Sequence, residues 1–357
     1  PAVYIPIRKM GYSMAPRPGW DKSFEWSGYV PFEEMPYLYN PPEGYISTAN
    51  NRTIGNKFPY YISGLWADPS RSSRIKEVLD EDKKVGLEDM KALQLDLTSN
   101  YSKEILPYIL KNAGKPESPI YNRAIKFLQD WNHIESIDSE GTLIFHSISN
   151  QIIRNVYYDE LSVLGDKYFE TFIGLKYITK RNLRNILRNN TNKWVDDIRT
   201  PNKIETIDEI ITKSIESGIQ KVIDTYGPNW SNWKWGSAHS LTHKHILGDV
   251  KILNYLFNLN IGPYLSGGSD VTPNAGGYSL LKGFNQTSGA SMRRIVDFSD
   301  LNRTNMILPT GQSGLHNSPH YSDQAPLYHE GKYRVTYFDK DYIVSSPDFK
   351  HLRLIPK

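Results

Sequence analysis

The chain has 357 residues, of which 39% are hydrophobic, and its formal net charge at pH 7 is +3. A chain of this length and composition can bury a sizeable core, as one large domain or as two ordinary ones, and it is not a disordered polypeptide. Its basic residues are spread along the sequence and form no cluster of the kind that binds phosphates, so nucleic acid is not an expected partner. Cysteine is absent, which excludes disulfides, a thiolate nucleophile and cysteine-ligated zinc.

Neither a membrane span nor a secretion signal is visible in the sequence. No apolar run approaches the roughly 18 to 20 residues that a spanning helix needs. The first 20 residues lack the charged-then-apolar layout of a signal peptide. Because the first residue is proline and not methionine, we expect the chain to be a processed or truncated piece of a longer polypeptide.

Three regions follow one another along the chain. Residues 1–70 are rich in proline, glycine and aromatic side chains, with short runs such as VYIPI and GYIST, which predicts strands and long loops. Residues 71–260 carry apolar residues at spacings of three and four, which predicts a mainly helical segment. Residues 261–357 return to glycine-rich turns and short predicted strands, among them SMRRIVDF, MILPT and YRVTYF.

The helical region is predicted in separate pieces. One helix is predicted for RSSRIKEVLDE and a second for GLEDMKALQLDLTSNYSKEILPYILKN, followed by helices in NRAIKFLQDW, TLIFHSISNQIIRNVYYDEL and TIDEIITKSIESGIQKVIDTYG. The asparagine-rich residues 188–203 are the best candidate for an internal loop. The order of strands, helices and strands also favours one sheet built from the first and last regions, with the helical region inserted between them.

Several motifs occur in the order that is found in one enzyme family. They are PGWDKSFEWSGYVPFEEMPYLYNPPEGYISTANNR, RSSRI, QLD, TYGPNWSNWKWGSAHSLTHKHILG, GPYLSGGSDVTPNAGG, LPTGQSG, SPHYSDQ and EGKYR. In these segments the chain resembles the penicillin amidase family of N-terminal-nucleophile hydrolases, which cleave amides of penicillins or acyl-homoserine lactones. The resemblance implies an α+β fold of stacked β-sheets between helical layers. It also implies that this chain is the C-terminal part of the β-chain, without the N-terminal part of the fold.

Amide hydrolysis in this family requires a serine at the start of the β-chain, whose free α-amine acts as the base. Pro1 has no hydroxyl and carries a secondary amine, so it cannot fill that role. The resemblance therefore implies that the serine lies upstream, on a partner portion of the same precursor, and that this chain alone is inactive. The alternative is a fragment or a non-catalytic relative that only binds.

The resemblance assigns two site residues. Asn50, the first residue of the asparagine pair in GYISTANNR, matches the family's oxyanion-hole asparagine, whose side-chain N–H donates to the developing oxyanion. Arg71, which opens RSSRI, matches an arginine that holds this asparagine near the nucleophile, where its charge would depress the pKa of the amine. From the residues alone, Asn50 and Asn51 also suit a turn, and Arg71 also suits an ordinary surface position.

No metal ion or cofactor is expected to be required for the chemistry. Family members often carry a structural calcium ion, but Asp68 is the only acidic residue between Asn50 and Arg71, and it does not match the position of the family's ligand. His239, His243 and His245 in HSLTHKH would suit a metal-dependent amidase if histidines four residues apart shared a helix face. That alternative lacks a carboxylate in an HExxH pattern.

Two further motifs favour structure over chemistry. Ser313 with His316 or His320 and Asp323 imitates a Ser-His-Asp set, but GQSGL lacks the final glycine of a nucleophile elbow. These residues are instead predicted to form a loop, with positive φ between Gly311 and Gly314. The GGSD motif, with Gly267, Gly268 and Asp270, would either line the substrate cleft or turn the chain.

The resemblance further implies a small-molecule amide as the substrate, with penicillins, acyl-homoserine lactones and related amides as the candidate classes. It also implies a periplasmic or extracellular compartment.

Overall fold

The computed structural model describes residues 4–12, 14–81, 84–115, 117–189, 193–350 and 352–356, and Pro1 lies outside these ranges. The chain divides into two compact units, each built from three separate segments. The first unit comprises Pro1–Asp82, Ser99–Gln129 and Phe145–Lys221, and the second comprises Lys83–Thr98, Asp130–Ile144 and Val222–Lys357.

The described residues combine α-helices with short β-strands, so the predicted α+β class is confirmed. The helices are α1 Ser70–Leu79, α2 Leu87–Gln94, α3 Asn100–Lys111, α4 Pro119–Asp130, α5 Glu140–Val163, α6 Asp166–Gly174, α7 Lys176–Asn189, α8 Ile207–Tyr226, α9 Trp235–Ala238, α10 Lys251–Phe257, α11 Ala325–His329 and α12 Lys340–Ser345. The strands are β1 Pro6–Arg8, β2 Trp26–Tyr29, β3 Ser240–His243, β4 Ile261–Leu265, β5 Gly276–Ser279, β6 Gly283–Gly289, β7 Arg293–Ile295, β8 Thr304–Ile307 and β9 Arg334–Thr336.

The strands form three small sheets within the described part of the chain. β1 pairs with β2 in an antiparallel ribbon, a four-stranded sheet has the order β4-β3-β6-β5, and β7-β8-β9 is antiparallel throughout. The expectation of one sheet shared by the first and last regions is therefore wrong for these strands. The GYIST run, also expected as a strand, forms loop in the structure and pairs with none of the described strands. β-propensity acts mainly through packing against neighbouring strands, so it does not by itself make this run a strand.

The structure contains all five predicted helices, one of them broken in two, but six of the twelve described helices were not predicted. The second predicted helix is divided into α2 and α3, because Ser99 accepts a hydrogen bond through its side chain from the backbone N–H of Ser102 and begins α3 as its N-cap. α6 and α7 were not predicted, and α7 extends to Asn189, inside the expected loop 188–203.

The core of the first unit forms where α5 and α8 cross. Gly218 of α8 lies against Ile148 of α5, and a Cβ at Gly218 would approach the Cα of Ile148 to 2.8 Å. The Oγ of Ser147 donates to the carbonyl of Gly218 over 2.8 Å. Glycine is needed here because the two helix backbones come too close for any side chain.

The N-terminal strands have only a small core of their own. Ile5, Val30 and Met35 are buried together, with partly buried neighbours around them. Many aromatic side chains of the same region are exposed, among them Tyr4, Trp20, Phe32, Tyr37 and Tyr39.

The second unit has its core beside the four-stranded sheet. Trp235 is fully buried there and donates through Nε1 to the carbonyl of Gly268 over 3.0 Å. Within the described residues, every helix is too short or too polar to cross a lipid bilayer.

Candidate active site

Asn50 occupies a tight turn in the first unit. Its φ is +61°, in the left-handed region that asparagine tolerates better than most residues. The Oδ1 of Asn51 accepts from the backbone N–H of Ala49 over 3.0 Å, and the carbonyl of Asn50 accepts from the N–H of Ala67 over 2.9 Å. The turn that the asparagine pair suggests is therefore present, and it presents the exposed side chain of Asn50.

Arg71, the second residue of α1, holds the side chain of Asn50. Its Nη2 donates to the carbonyl of Ala49 over 2.8 Å and to the Oδ1 of Asn50 over 2.9 Å. A guanidinium has only donors, so the oxygen of the amide must face Arg71 and its Nδ2 must face away. None of the described residues accepts a hydrogen bond from this Nδ2, which leaves it as an available donor.

A buried ion pair supports the start of α1. Asp68 is 5% exposed, and its Oδ1 accepts from the backbone N–H of Ser70 over 2.9 Å and from the Nη2 of Arg184 over 3.2 Å. The Nε of Arg184 also lies 2.9 Å from a carboxylate oxygen of Glu104. The carboxylate of Asp68 offsets the unfavourable position of the cationic Arg71 at a helix N-terminus.

Asp68 does not fit the calcium ion that the family resemblance implies. Its Oδ1 is held by the guanidinium of Arg184 and by both donors of Ser70. The Oδ2 of Asp68 is buried without a hydrogen-bond partner, but a calcium ion bound there would lie beside the guanidinium of Arg184, whose like charge opposes it. Asp68 therefore anchors α1.

A cavity of about 590 Å³ opens beside the turn, within the first unit. It is lined by Asn51, Trp66, Arg181 and Pro69, which directly precedes α1, among others, and not by Asn50. Arg181 donates to the carbonyls of Gly64 and Trp66 over 3.1 and 3.4 Å, which fixes the loop between the turn and α1.

Sequence reasoning did not identify Arg181 or Arg184. Together with Arg188 they recur on α7 at spacings of three and four, which is the signal that could have placed them on one helix face.

The three histidines of HSLTHKH do not form a metal site. His239 directly precedes strand β3 and His243 is its last residue, so the shared helix face that the metal site would need is absent. The Nδ1 of His239 lies 2.6 Å from the carbonyl oxygen of Phe284, and the Nε2 of His243 lies 3.1 Å from the Nε2 of His329. The Nδ1 of His245 accepts from the backbone N–H of Leu247. No group of three metal-ligating side chains is found among the residues that the structure describes.

The Ser313 region forms an ordered loop. The Oγ of Ser313 accepts from the backbone N–H of Leu315, while the exposed His320 pairs with Asp323 over 3.0 Å. The expected positive φ between Gly311 and Gly314 is wrong. Gly311 is required for another reason, because a Cβ there would lie 2.1 Å from the carbonyl oxygen of His320.

Of the two roles considered for the glycine motif of the second unit, the turn is present in the structure, whereas lining of the substrate cleft stays a prediction. Gly268 has a φ of +74° and turns the chain, whereas Gly267 lines a cavity.

Known proteins resemble this chain over most of its length. The model of the family described as penicillin amidase matches residues 2–344. The chain is 26% identical over 346 residues to an acyl-homoserine lactone acylase, QuiP, of Pseudomonas syringae pv. tomato, covering 92% of this chain and 41% of that protein. It is 24% identical over 322 residues to a penicillin acylase 2 proenzyme of Pseudomonas sp. strain SE83, covering 90% and 40%.

Among solved structures, a thermostable penicillin G acylase from Alcaligenes faecalis shares the fold. The TM-score is 0.61 at 16% identity, covering 99% of this chain and 65% of that one. The chain spans about two fifths of the length of the curated relatives it matches. Because the family model extends over nearly all of its residues, the chain belongs to the penicillin amidase family.

Proposed function

We propose that this chain is part of an amide hydrolase of penicillin amidase type, which cleaves the acyl side-chain amide of a small molecule. The observation that supports the proposal most directly is the hydrogen bond from Arg71 to the Oδ1 of Asn50, which leaves the Nδ2 of Asn50 as a donor. The printed names of the relatives supply the candidate substrate classes, which are acyl-homoserine lactones and penicillins.

In the proposed reaction, the hydroxyl of an N-terminal serine upstream of this chain attacks the amide carbonyl, and the α-amine of that serine accepts the proton. The Nδ2 of Asn50 donates to the oxyanion that forms on the carbonyl oxygen. The C–N bond then breaks, the amine leaves with the proton, and an acyl-enzyme remains. Water hydrolyses this ester to the carboxylic acid and restores the serine.

Asn50→Asp in the full-length protein is the sharpest test. Aspartate keeps the oxygen that faces Arg71 but replaces the donor with a second acceptor, so the turn is retained while oxyanion stabilisation is lost. We expect kcat for a p-nitroanilide amide to fall by about 100- to 1,000-fold. Mass spectrometry of the mature chains must accompany the assay, because the same donor would serve any self-cleavage that exposes the serine.

Asn56→Ala is the matched control, since Asn56 is exposed and accepts only from the side chain of Arg52. Asn51→Ala examines the neighbouring position. Full activity in a correctly processed Asn50→Asp protein, or a loss that follows Asn51 instead, would refute the assignment of Asn50.

A non-catalytic binding protein is the alternative function, and failure of the full-length wild-type protein to hydrolyse any acyl p-nitroanilide would favour it. We further propose that the chain alone is inactive and that the complete protein acts in a periplasmic or extracellular compartment. Hydrolysis by the isolated chain would contradict the first statement, and cell fractionation tests the second.

A further inference from the structure

The cavity of about 590 Å³ in the first unit is lined by cations and by aromatic rings. Its charged lining residues are four arginines, and no acidic side chain lines it among the residues that the structure describes. Volumes of this size hold small organic ligands. The four arginines are Arg52, Arg181, Arg184 and Arg188.

Two of these arginines are neutralised by carboxylates that do not line the cavity. The Nη2 of Arg184 lies 3.2 Å from the Oδ1 of Asp68, and the Nε of Arg188 lies 2.7 Å from the Oε1 of Glu104. Arg52 and Arg181, in contrast, form no ion pair within the described part of the chain. The cavity therefore has two positive charges in excess, and an excess of this kind attracts anions.

Arg52 and Arg181 keep unused donors on side chains that reach solvent. Arg52 is exposed, and its terminal nitrogens donate to the Oδ1 of Asn56 over 2.9 Å and to the carbonyl of Gly55 over 3.4 Å. Arg181 is half-buried and donates to two backbone carbonyls of the loop before α1. A guanidinium has five N–H donors, so each arginine retains three. All of the present acceptors are neutral, which leaves both charges uncompensated.

Aromatic side chains form another part of the lining. Phe58, Tyr60, Tyr61 and Trp66 line the cavity, and all four are only partly buried. The rings of Phe58 and Tyr60 meet edge to face, with their centroids 5.8 Å apart. Partly exposed rings make favourable stacked or edge-to-face contacts with another aromatic ring. A ligand that uses both parts of the lining is therefore anionic and aromatic.

We propose that this cavity binds a small aromatic dicarboxylate. One carboxylate accepts from the unused N–H groups of Arg52 and the other from those of Arg181, so that two negative charges meet the two uncompensated cations. The ring of the ligand packs against the aromatic side chains. This binding site does not include Asn50 or Arg71, and it does not rest on the proposed hydrolysis.

Isothermal titration calorimetry of the full-length protein tests the proposal with phthalate, isophthalate, terephthalate, benzoate, benzamide and the non-aromatic dicarboxylate adipate. We expect at least one of the three aromatic dicarboxylates to bind more tightly than benzoate and adipate, and benzamide not to bind measurably. Arg52→Gln should weaken the best dicarboxylate by about tenfold, because one charge-assisted contact is lost. Arg181→Gln should weaken it by a similar factor.

Lys57→Gln is the matched control, because Lys57 is an exposed cation of the same loop that does not line the cavity. Circular dichroism establishes that each variant is folded. The proposal is overturned if no aromatic dicarboxylate binds, if benzamide or adipate binds as tightly, or if a folded Arg52→Gln protein retains wild-type affinity. It is equally overturned if a crystal structure of the full-length protein shows its own polypeptide filling the cavity.

Discussion

The Nη2 of Arg71 donates a hydrogen bond to the Oδ1 of Asn50 over 2.9 Å. The second hydrogen of the same nitrogen is directed to the carbonyl of Ala49, over 2.8 Å. One terminal nitrogen thus fixes both the turn and the orientation of the amide. A lysine ammonium has the charge but not the planar geometry for this task.

Arg71→Met and Arg71→Lys in the full-length protein distinguish the effect of the positive charge of Arg71 from the effect of its hydrogen-bond geometry. A cation near the catalytic amine favours the free base, so its loss in Arg71→Met should raise the pKa of the amine and move the acid limb of kcat/KM to higher pH. Arg71→Lys should keep the limb in place but lower kcat, because Asn50 is no longer held. Unchanged pH profiles in both variants would contradict a role for Arg71 near the nucleophile, and Arg74→Met, one turn on, is the control.

Arg184→Met should destabilise the first unit strongly. Arg184 and Asp68 are both less than a tenth exposed, and removal of one partner leaves a buried charge unpaired. We expect the free energy of unfolding to fall by about 3 kcal/mol, measured by urea denaturation. Arg188→Met is the control, because the more exposed Arg188 binds the same Glu104 and should cost less than about 1 kcal/mol. Equal effects of the two variants would show that burial of the pair is unimportant.

Gly218→Ala should destabilise the crossing of α5 and α8 although alanine favours helices. The added Cβ would lie 2.8 Å from the Cα of Ile148, so the helices must separate, at a cost of about 1–3 kcal/mol. Gly174→Ala, at the end of α6 with open space around it, should be neutral or slightly stabilising. Thermal unfolding of the two variants gives the comparison, and a stabilised Gly218→Ala protein would disprove the close packing.

The histidine pair of the second unit should make stability depend on pH. Burial lowers the pKa of His243, and burial together with His243 and Arg293 lowers the pKa of His329 to about 4. The unfolded chain binds protons more readily between about pH 6.5 and 4, so stability is present above this window and is lost as pH falls through it. His329→Gln should flatten that decline in urea denaturation series, whereas the exposed His316→Gln should not. An unchanged slope in His329→Gln would contradict this prediction.

The family resemblance paired Asn50 with Arg71, which the structure joins by a hydrogen bond, but sequence patterns did not indicate the residues that support them. The two lie in motifs whose order and spacing are visible along the chain, only 21 residues apart. Arg184 lies 116 residues beyond Asp68, and no local pattern connects them. The helix that carries Arg184 was missed because its buried face includes the polar Lys180 and Arg184, which weakens the apolar periodicity.

The two longest helices, α5 and α8, were predicted whereas the pairing of the strands was not, for a physical reason. The periodicity of α5 or α8 is a local property of consecutive residues, and it can be recognised in the sequence. The pairing of β3 with both β4 and β6 depends on residues far along the chain, and the strands involved have four to seven residues. Such strands carry too few alternating positions to define their neighbours.

The exposed aromatic side chains between Tyr4 and Tyr39 have a practical consequence for work on the isolated chain. Surfaces of this kind attract one another in water and drive aggregation when nothing covers them. The polypeptide expressed by itself should enter inclusion bodies or elute as large assemblies from a gel-filtration column, so biochemical measurements are best made on the full-length protein.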